Sequence, residues 1–298
     1  MTVSARHPSP LAGIACVIGG IFCLTVSDAQ AKWLGQFYAP IQILFLRAVI
    51  ALPVVLAVVV TLGGRRSLRT QFPLIHLLRG ALNMVSASCF YIGLQHLPLA
   101  ENTAIAFAAP LFVTTLSVLI LKEKVDRARW LAVAAGFAGV LIIVRPGSSS
   151  FDAAALWPLV TALLYAVMMT TARAIGGGES MLTTMFYIVA AQCVWTSLVA
   201  PFFWIAPSWE HAPYFAGVAL CSTLGLTLIT QGFRIGPASV VAPFDYTGLI
   251  WATLLGWMIW DEQPQAIAYL GALIIAGSGI YIALRESRRR RRDRYFLE

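Results

Sequence analysis

Charged side chains are scarce in this chain of 298 residues: Asp, Glu, Lys and Arg together make up 11%. Water-soluble domains carry about 25%, because something must face solvent, so most of this surface faces a non-aqueous medium. Long polar stretches are also missing, which leaves no room between apolar runs for a soluble catalytic or binding domain. The five cysteines, Cys16, Cys23, Cys89, Cys193 and Cys221, are odd in number and lie inside apolar runs. They show no CxxC or Cys/His spacing suited to zinc and read as small buried hydrophobes. The four histidines form no HExxH pair. No GxSxG elbow, paired aspartate motif or positioned Ser/His couple is found, which argues against an intramembrane enzyme, the alternative from a different functional class. Neither a metal nor a cofactor is expected. The glutamates all fall at loops or helix ends, so the membrane-embedded Glu of a small multidrug exporter is missing. Polar residues are too few to line a continuous pore, which argues against a channel.

What is present is hydrophobicity, with 59% apolar residues and a mean hydropathy of +0.79. Uncharged runs cover 11–27, 48–64, 80–100, 102–121, 130–144, 153–172, 180–209, 212–233 and 263–284, and one more, 235–260, is interrupted by Asp245 alone. A helix needs roughly 20 apolar residues to cross the hydrocarbon, and Lys or Arg flanking the shorter runs can snorkel outward. The pattern predicts an all-α membrane protein of ten transmembrane helices. The first run lacks a small-residue cleavage site and is read as an anchor, not a removed signal peptide. Seventeen of the 21 Lys and Arg fall on one side of the alternating loops, whereas the other side receives Lys32 and Arg145. Basic residues are retained in the cytoplasm during insertion, so both termini are expected there. The arginine run 288–292 follows the last span directly, and reads as a topology signal attracted to anionic lipid, not as a nucleic-acid site.

Sliding the sequence against itself by 139 residues aligns Gly93 with Gly232, Pro98 with Pro237, Thr114 with Thr253, Leu116 with Leu255, Glu123 with Glu262 and Leu131 with Leu270. The chain is therefore read as a duplication: 1–145 for spans 1 to 5, 153–286 for spans 6 to 10, and a basic cytoplasmic tail at 287–298. The Gly and Ser of 146–150 suit a flexible connection between the halves. Five spans per half is an odd number, so the second copy enters from the opposite side and the two form inverted five-helix repeats. Secondary transporters are built this way, because two equivalent packings of the halves supply inward-open and outward-open states. Pro98 and Pro237 are read as helix starters. Pro110 and Pro243 lie inside their spans, where each removes a backbone hydrogen bond, so a kink is expected at both. Small residues at four-residue spacing, Ala132 with Gly136, Ala135 with Gly139, and Ala268, Ala272 and Ala276, are read as close helix packing.

The motifs Phe45-Leu46-Arg47, Leu78-Arg79-Gly80, Leu97-Pro98-Leu99-Ala100, Ala109-Pro110-Leu111, Lys122-Glu123-Lys124 and Gly136-Phe137-Ala138-Gly139-Val140 resemble the drug/metabolite transporter superfamily with a duplicated EamA domain. The likeness runs along spans 1 to 10. It implies a central cavity formed by spans 1 to 4 and 6 to 9, with spans 5 and 10 peripheral, and alternating access without ATP hydrolysis. Through Ser27-Asp28-Ala29 and Ala242-Pro243-Phe244-Asp245-Tyr246 the chain is similar to the bacterial subgroup of riboflavin or S-adenosylmethionine transporters, which implies a bacterial inner-membrane location. The S-adenosylmethionine branch carries a basic residue where Asp245 stands, and the aromatic amino-acid exporters carry a Trp midway along span 1 where this chain has Val17-Ile18-Gly19-Gly20. Both departures count against those substrates.

A charge at the centre of a span costs about 2.5 to 3.5 kcal/mol, so Asp28, Arg47, Arg79 and Asp245 need partners or a function. Arg47 and Asp28 lie toward the outer surface, while Arg79 and Asp245 lie about 10 Å from the cytoplasmic side at 1.5 Å per residue. They sort into two candidate pairs, either substrate and gate residues or static ion pairs between helices. Asn83, Tyr91, Tyr165, Gln231, Tyr246 and Trp251 are candidates to complete the lining, since flat organic ligands stack on aromatic rings. Two Asp and two Arg sum to zero charge, which favours a flat, polar heteroaromatic metabolite such as riboflavin as substrate. An amino-acid or drug/metabolite exporter of the same superfamily is the alternative. The expected partners are thus a small molecule and the lipid bilayer, with no nucleic acid; a homodimer is left open.

Overall fold

The computed structural model describes residues 10–122, 125–147, 152–175 and 180–295, and among them the backbone forms helices and turns with no strand. Span 1 is Pro10–Leu34, span 2 Pro40–Gly63, span 3 Pro73–His96, span 5 Arg127–Val144, span 6 Leu156–Ile175, span 7 Met181–Val199, span 8 Ala212–Ile235 and span 10 Ala266–Tyr295. Spans 4 and 9 are broken. Span 4 is Leu99–Ala106 followed by Ala109–Leu121; span 9 is Ala238–Val241, a 3-10 turn at Ala242–Tyr246, and Thr247–Trp260. Among the described residues nine segments are long and apolar enough to cross a membrane, and span 9 is not among them. With span 9 the total is ten helices. Span 10 continues past the hydrophobic region, its backbone helical to Tyr295.

Prolines at the first turns of spans 2 and 3 fix φ where an amide donor has no partner to lose. Pro110 likewise opens the second segment of span 4, and Pro243 lies in the 3-10 turn of span 9. Pro53, by contrast, sits inside an unbroken span 2. Proline alone therefore does not dictate a break in this chain.

The 139-residue register reappears in the backbone. Spans 3 and 8 start at 73 and 212 and end at 96 and 235; spans 4 and 9 start at 99 and 238 and end at 121 and 260; spans 5 and 10 start at 127 and 266. The residues that terminate spans 4 and 9, Lys122 and Asp261, share the left-handed values φ 54 and ψ 30. Packing is duplicated as well. In span 1, Val17 meets Gly232 and Gly20 meets Gly225 of span 8. Pro158 of span 6 meets Gly93 of span 3, and Thr161 and Ser86 exchange side-chain to backbone hydrogen bonds of 3.0 and 3.2 Å. These are the same two contacts displaced by 141 residues on one side and 139 on the other. The two halves thus pack as inverted copies.

Backbones come close where glycines face each other. A Cβ on Gly20 would stand 2.7 Å from the Gly225 carbonyl oxygen, and one on Gly139 would stand 2.8 Å from that of Gly271. Without a hydrophobic drive between helices in lipid, such close approach is what holds spans 1 and 8, and spans 5 and 10, together.

Loops between spans 1–2, 3–4, 7–8 and 9–10 gather at one end, marked by Lys32; loops between spans 2–3, 4–5 and 8–9 gather at the other, marked by Arg79. At the Lys32 end Tyr38 contacts His211 and Ser208, and Gln42 exchanges hydrogen bonds with the Ile205 backbone at 2.6 and 3.0 Å. At the Arg79 end Tyr187 of span 7 donates to the Leu68 carbonyl, and Asp126 before span 5 pairs with Arg285 of span 10.

Candidate functional site

Toward the Lys32 end, spans 1, 2, 3 and 8 bring together Ser27, Asp28, Arg47 and Tyr91. Ser27 is buried and donates to the Val218 carbonyl of span 8 at 3.1 Å. The Arg47 guanidinium donates to the buried Tyr91 hydroxyl at 3.2 Å. Asp28 lies within electrostatic reach of Arg47 and of Tyr91, yet no salt bridge joins it to Arg47 among the described residues. Asp28 and Arg47 are both half-buried. An acceptor-only carboxylate and a donor-only guanidinium thus stand side by side with unused capacity. Such a pair can hold a ligand edge that carries one donor and one acceptor, or the two ends of a zwitterion.

Toward the Arg79 end the second expected pair does not form. Asp245 Oδ1 is buried with no hydrogen-bond partner, and the groups near enough to feel its charge are the Tyr165 and Tyr246 phenols. The 3-10 turn that carries Asp245 packs against spans 1 and 10, and depth in the membrane, on which the pairing with Arg79 rests, says nothing about direction around a helix. Tyr165 itself is 45% exposed. Tyr246 turns its hydroxyl toward span 10, where it fills the place a side chain on Gly279 would take, and its ring meets Phe107 at 5.0 Å. Trp251 packs edge-on against Phe22 at 5.1 Å, with its indole Nε1 buried and unpartnered. Asn83 is half-buried on span 3. Gln231 is exposed and accepts from Arg234, one turn along its own helix, at 3.4 Å.

Among the described residues a buried polar junction stands out that sequence reasoning missed. Lys32, buried at the end of span 1, bonds to Glu262 Oε1 at 2.5 Å and to the Leu97 carbonyl at 2.6 Å. The other oxygen, Glu262 Oε2, accepts from the Leu99 amide at 2.8 Å and so satisfies the start of span 4. The Lys32 ammonium also lies 5.3 Å from the centre of the Trp260 ring. Glu101 is close enough to couple electrostatically to this junction, and Arg145 to Glu101. An aromatic layer backs it, with Trp33 stacked on Tyr214 at 4.1 Å and Tyr38 against Phe215 at 5.1 Å. The signal that could have found it was the alignment of Glu262 with Glu123 in the repeat, which marks a glutamate at a fixed place after each broken helix. Among the described residues no group of three or more His, Cys, Asp or Glu could hold a metal ion.

The EamA-like transporter family matches residues 11–145, which hold spans 1 to 5. A riboflavin transporter of Vibrio cholerae is 30% identical over 296 residues, covering 98% of this chain and 99% of that protein. An S-adenosylmethionine uptake transporter of Rickettsia prowazekii is 27% identical, covering 93% and 94%. The pseudopaline exporter CntI of Pseudomonas aeruginosa is 26% identical, covering 88% and 93%. A solved crystal structure shares the fold with a TM-score of 0.62 at 18% identity, covering 92% of this chain and 98% of that one. Inverted halves of five helices, and a relative of 30% identity along the whole length, lead to one conclusion: the chain belongs to the EamA-like transporter family of the drug/metabolite transporter superfamily, and is a multi-pass membrane transporter, not an enzyme.

Proposed function

We propose that this transporter moves a flat, polar heteroaromatic metabolite, riboflavin or a close chemical relative, across the bacterial inner membrane by alternating access. The halves 1–145 and 153–286 exchange packings, and both termini lie in the cytoplasm, so the Lys32 end faces outward. The observation that carries the reading is the unbridged Asp28/Arg47 pair beside Tyr91. The isoalloxazine edge presents an N–H flanked by carbonyl oxygens, which a carboxylate and a guanidinium can take together. The unpartnered Asp245 carboxylate offers a second acceptor for hydroxyl groups farther along the molecule. The full-length similarity to a riboflavin transporter supports the same substrate. Asn83, Tyr165 and Trp251 complete the lining on spans 3, 6 and 9.

The second reading is export of an amino-acid-like metabolite, and the same Asp28/Arg47 pair favours it, since the two charges match an ammonium and a carboxylate. Expression in a riboflavin auxotroph, at vitamin levels too low for passive entry, separates the two. Rescue of growth that Arg47→Ala abolishes is the expected result. Absence of rescue with correctly inserted protein, together with loss of labelled amino acids from loaded cells, would replace uptake by export.

A further inference from the structure

Phe107 and Tyr246 are 139 residues apart, so each is the other's counterpart in the duplicated halves. Phe107 ends the first segment of span 4 with φ −67 and ψ 0, and Tyr246 ends the turn of span 9 with φ −70 and ψ −7. The next residues, Ala108 and Thr247, also agree, at φ −68, ψ −10 and φ −61, ψ −18. At these two positions the two helix breaks share one backbone conformation, although an α-helix leads into the first and a 3-10 turn into the second. Their prolines are placed differently, since Pro110 follows Phe107 by three residues while Pro243 precedes Tyr246 by three. The two rings touch, with centroids 5.0 Å apart and planes at 48°. Two glycines make room for them: a Cβ on Gly248 would meet the Phe107 ring at 3.2 Å, and one on Gly279 would collide with the Tyr246 hydroxyl.

Symmetry gives this contact a special standing. When two inverted halves exchange conformations, a contact between residue i of the first half and residue j of the second is replaced by the contact between their counterparts. A contact between a residue and its own counterpart maps onto itself and need not change. Phe107 with Tyr246 is such a contact. Lys32 with Glu262 is not, since Glu262 is the counterpart of Glu123, far along the first half from Lys32.

We infer that the Phe107/Tyr246 contact is the fulcrum about which the broken helices 4 and 9 pivot, kept through the transport cycle, while the Lys32/Glu262 junction is a latch that breaks whenever the Lys32 end opens. The inference rests on alternating access by the two halves and is independent of the substrate.

The test uses the full-length protein in liposomes, with the five native cysteines replaced, and reads a distance instead of uptake. Spin labels at the exposed Gln36 and Gln263, in separate loops of the Lys32 end, report opening through their distance distribution. Both labels are attached through an engineered non-cysteine residue, which leaves cysteine pairs free for a short reducible cross-linker. Two distance populations are expected, and Lys32→Ala should raise the longer one at least threefold. Cross-linking the pair Phe107→Cys/Tyr246→Cys should leave both populations in place. Cross-linking Lys32→Cys/Glu262→Cys should leave the short one alone, until reduction restores the other. Loss of the long population on linking 107 to 246, or a single short population that Lys32→Ala does not widen, would overturn the proposal. Should the 107/246 cysteine pair not insert, Tyr246→Phe and Tyr246→Ala replace it: the first should keep both populations and the second should lose one. Equal behaviour of the two would also overturn it. Because no substrate is used, failure here leaves the riboflavin reading standing, and failure of growth rescue leaves the fulcrum standing.

Discussion

The Lys32/Glu262 junction and the Asp245 carboxylate, at opposite ends of the bundle, treat buried charge in opposite ways. In the Lys32/Glu262 junction every strong group is used: the ammonium has a carboxylate and a carbonyl, and the carboxylate has an ammonium and an amide. At the Arg79 end Asp245 keeps a buried oxygen with no partner. A junction that is fully bonded holds helices together, whereas an unsatisfied buried carboxylate is tolerated where a ligand or a moving element completes it. The contrast separates groups that set the conformation from groups that meet the cargo. Substitutions at the first should act on stability and on the balance of states; substitutions at the second should act on transport with the fold intact.

The largest effect is expected at Glu262. Glu262→Ala strands a buried ammonium and an open helix start, and breaking a buried pair from one side costs about 3 to 5 kcal/mol. Thermal unfolding in detergent should show a clear drop, and Lys32→Met added to Glu262→Gln should recover much of it. A double variant as unstable as Glu262→Ala would mean that the junction is not a unit. Next comes Gly20→Ala. Its methyl would lie 2.7 Å from the Gly225 oxygen, so spans 1 and 8 must separate at a cost of about 1 to 3 kcal/mol. The same assay checks it, and an unchanged midpoint would show that this seam is loose.

What the sequence discloses and what it withholds divides along range. Ten spans, their approximate ends and the breaks near Pro110 and Pro243 follow from local composition and backbone chemistry, which act over a few residues. The 139-residue repeat is legible because duplication copies residues in order. The Lys32/Glu262 junction joins positions 230 residues apart, and a charge count assigns both to loops. Pairing Arg79 with Asp245 fails for a related reason: depth along a helix can be counted, but the direction a residue faces is fixed by packing partners that no single run reveals. Asp28 and Arg47, the other candidate pair, stand within electrostatic reach of one another without a bridge.

Asp245→Asn sharpens the comparison from the other end. The amide keeps the shape and removes an unpartnered buried charge, so the folded protein should be as stable as before or slightly more so. Uptake of riboflavin should nevertheless fall about tenfold, equivalent to roughly 1.4 kcal/mol of lost interaction. Unfolding midpoint and initial uptake rate, measured on the same preparation, decide between the roles. A loss of stability with uptake retained would return Asp245 to the scaffold.

The smallest effect is expected at Gln231, and it tests whether a polar side chain in a span is enough to make a site. Gln231 lies near the Arg79 end of span 8 on an exposed face, and its carbonyl oxygen accepts from Arg234 one turn away. Exposed pairs of this spacing contribute about 0.2 to 0.5 kcal/mol. Its helix is held elsewhere, by Gly225 and Gly232 against span 1, so removing the amide leaves the seam intact. Gln231→Ala should therefore change both the unfolding midpoint and the uptake rate by less than about twofold on the corresponding equilibrium or rate, which is near 0.4 kcal/mol. A tenfold loss of uptake with unchanged stability would place Gln231 on the substrate path, and would mean that span 8 turns this face inward in the other state of the cycle.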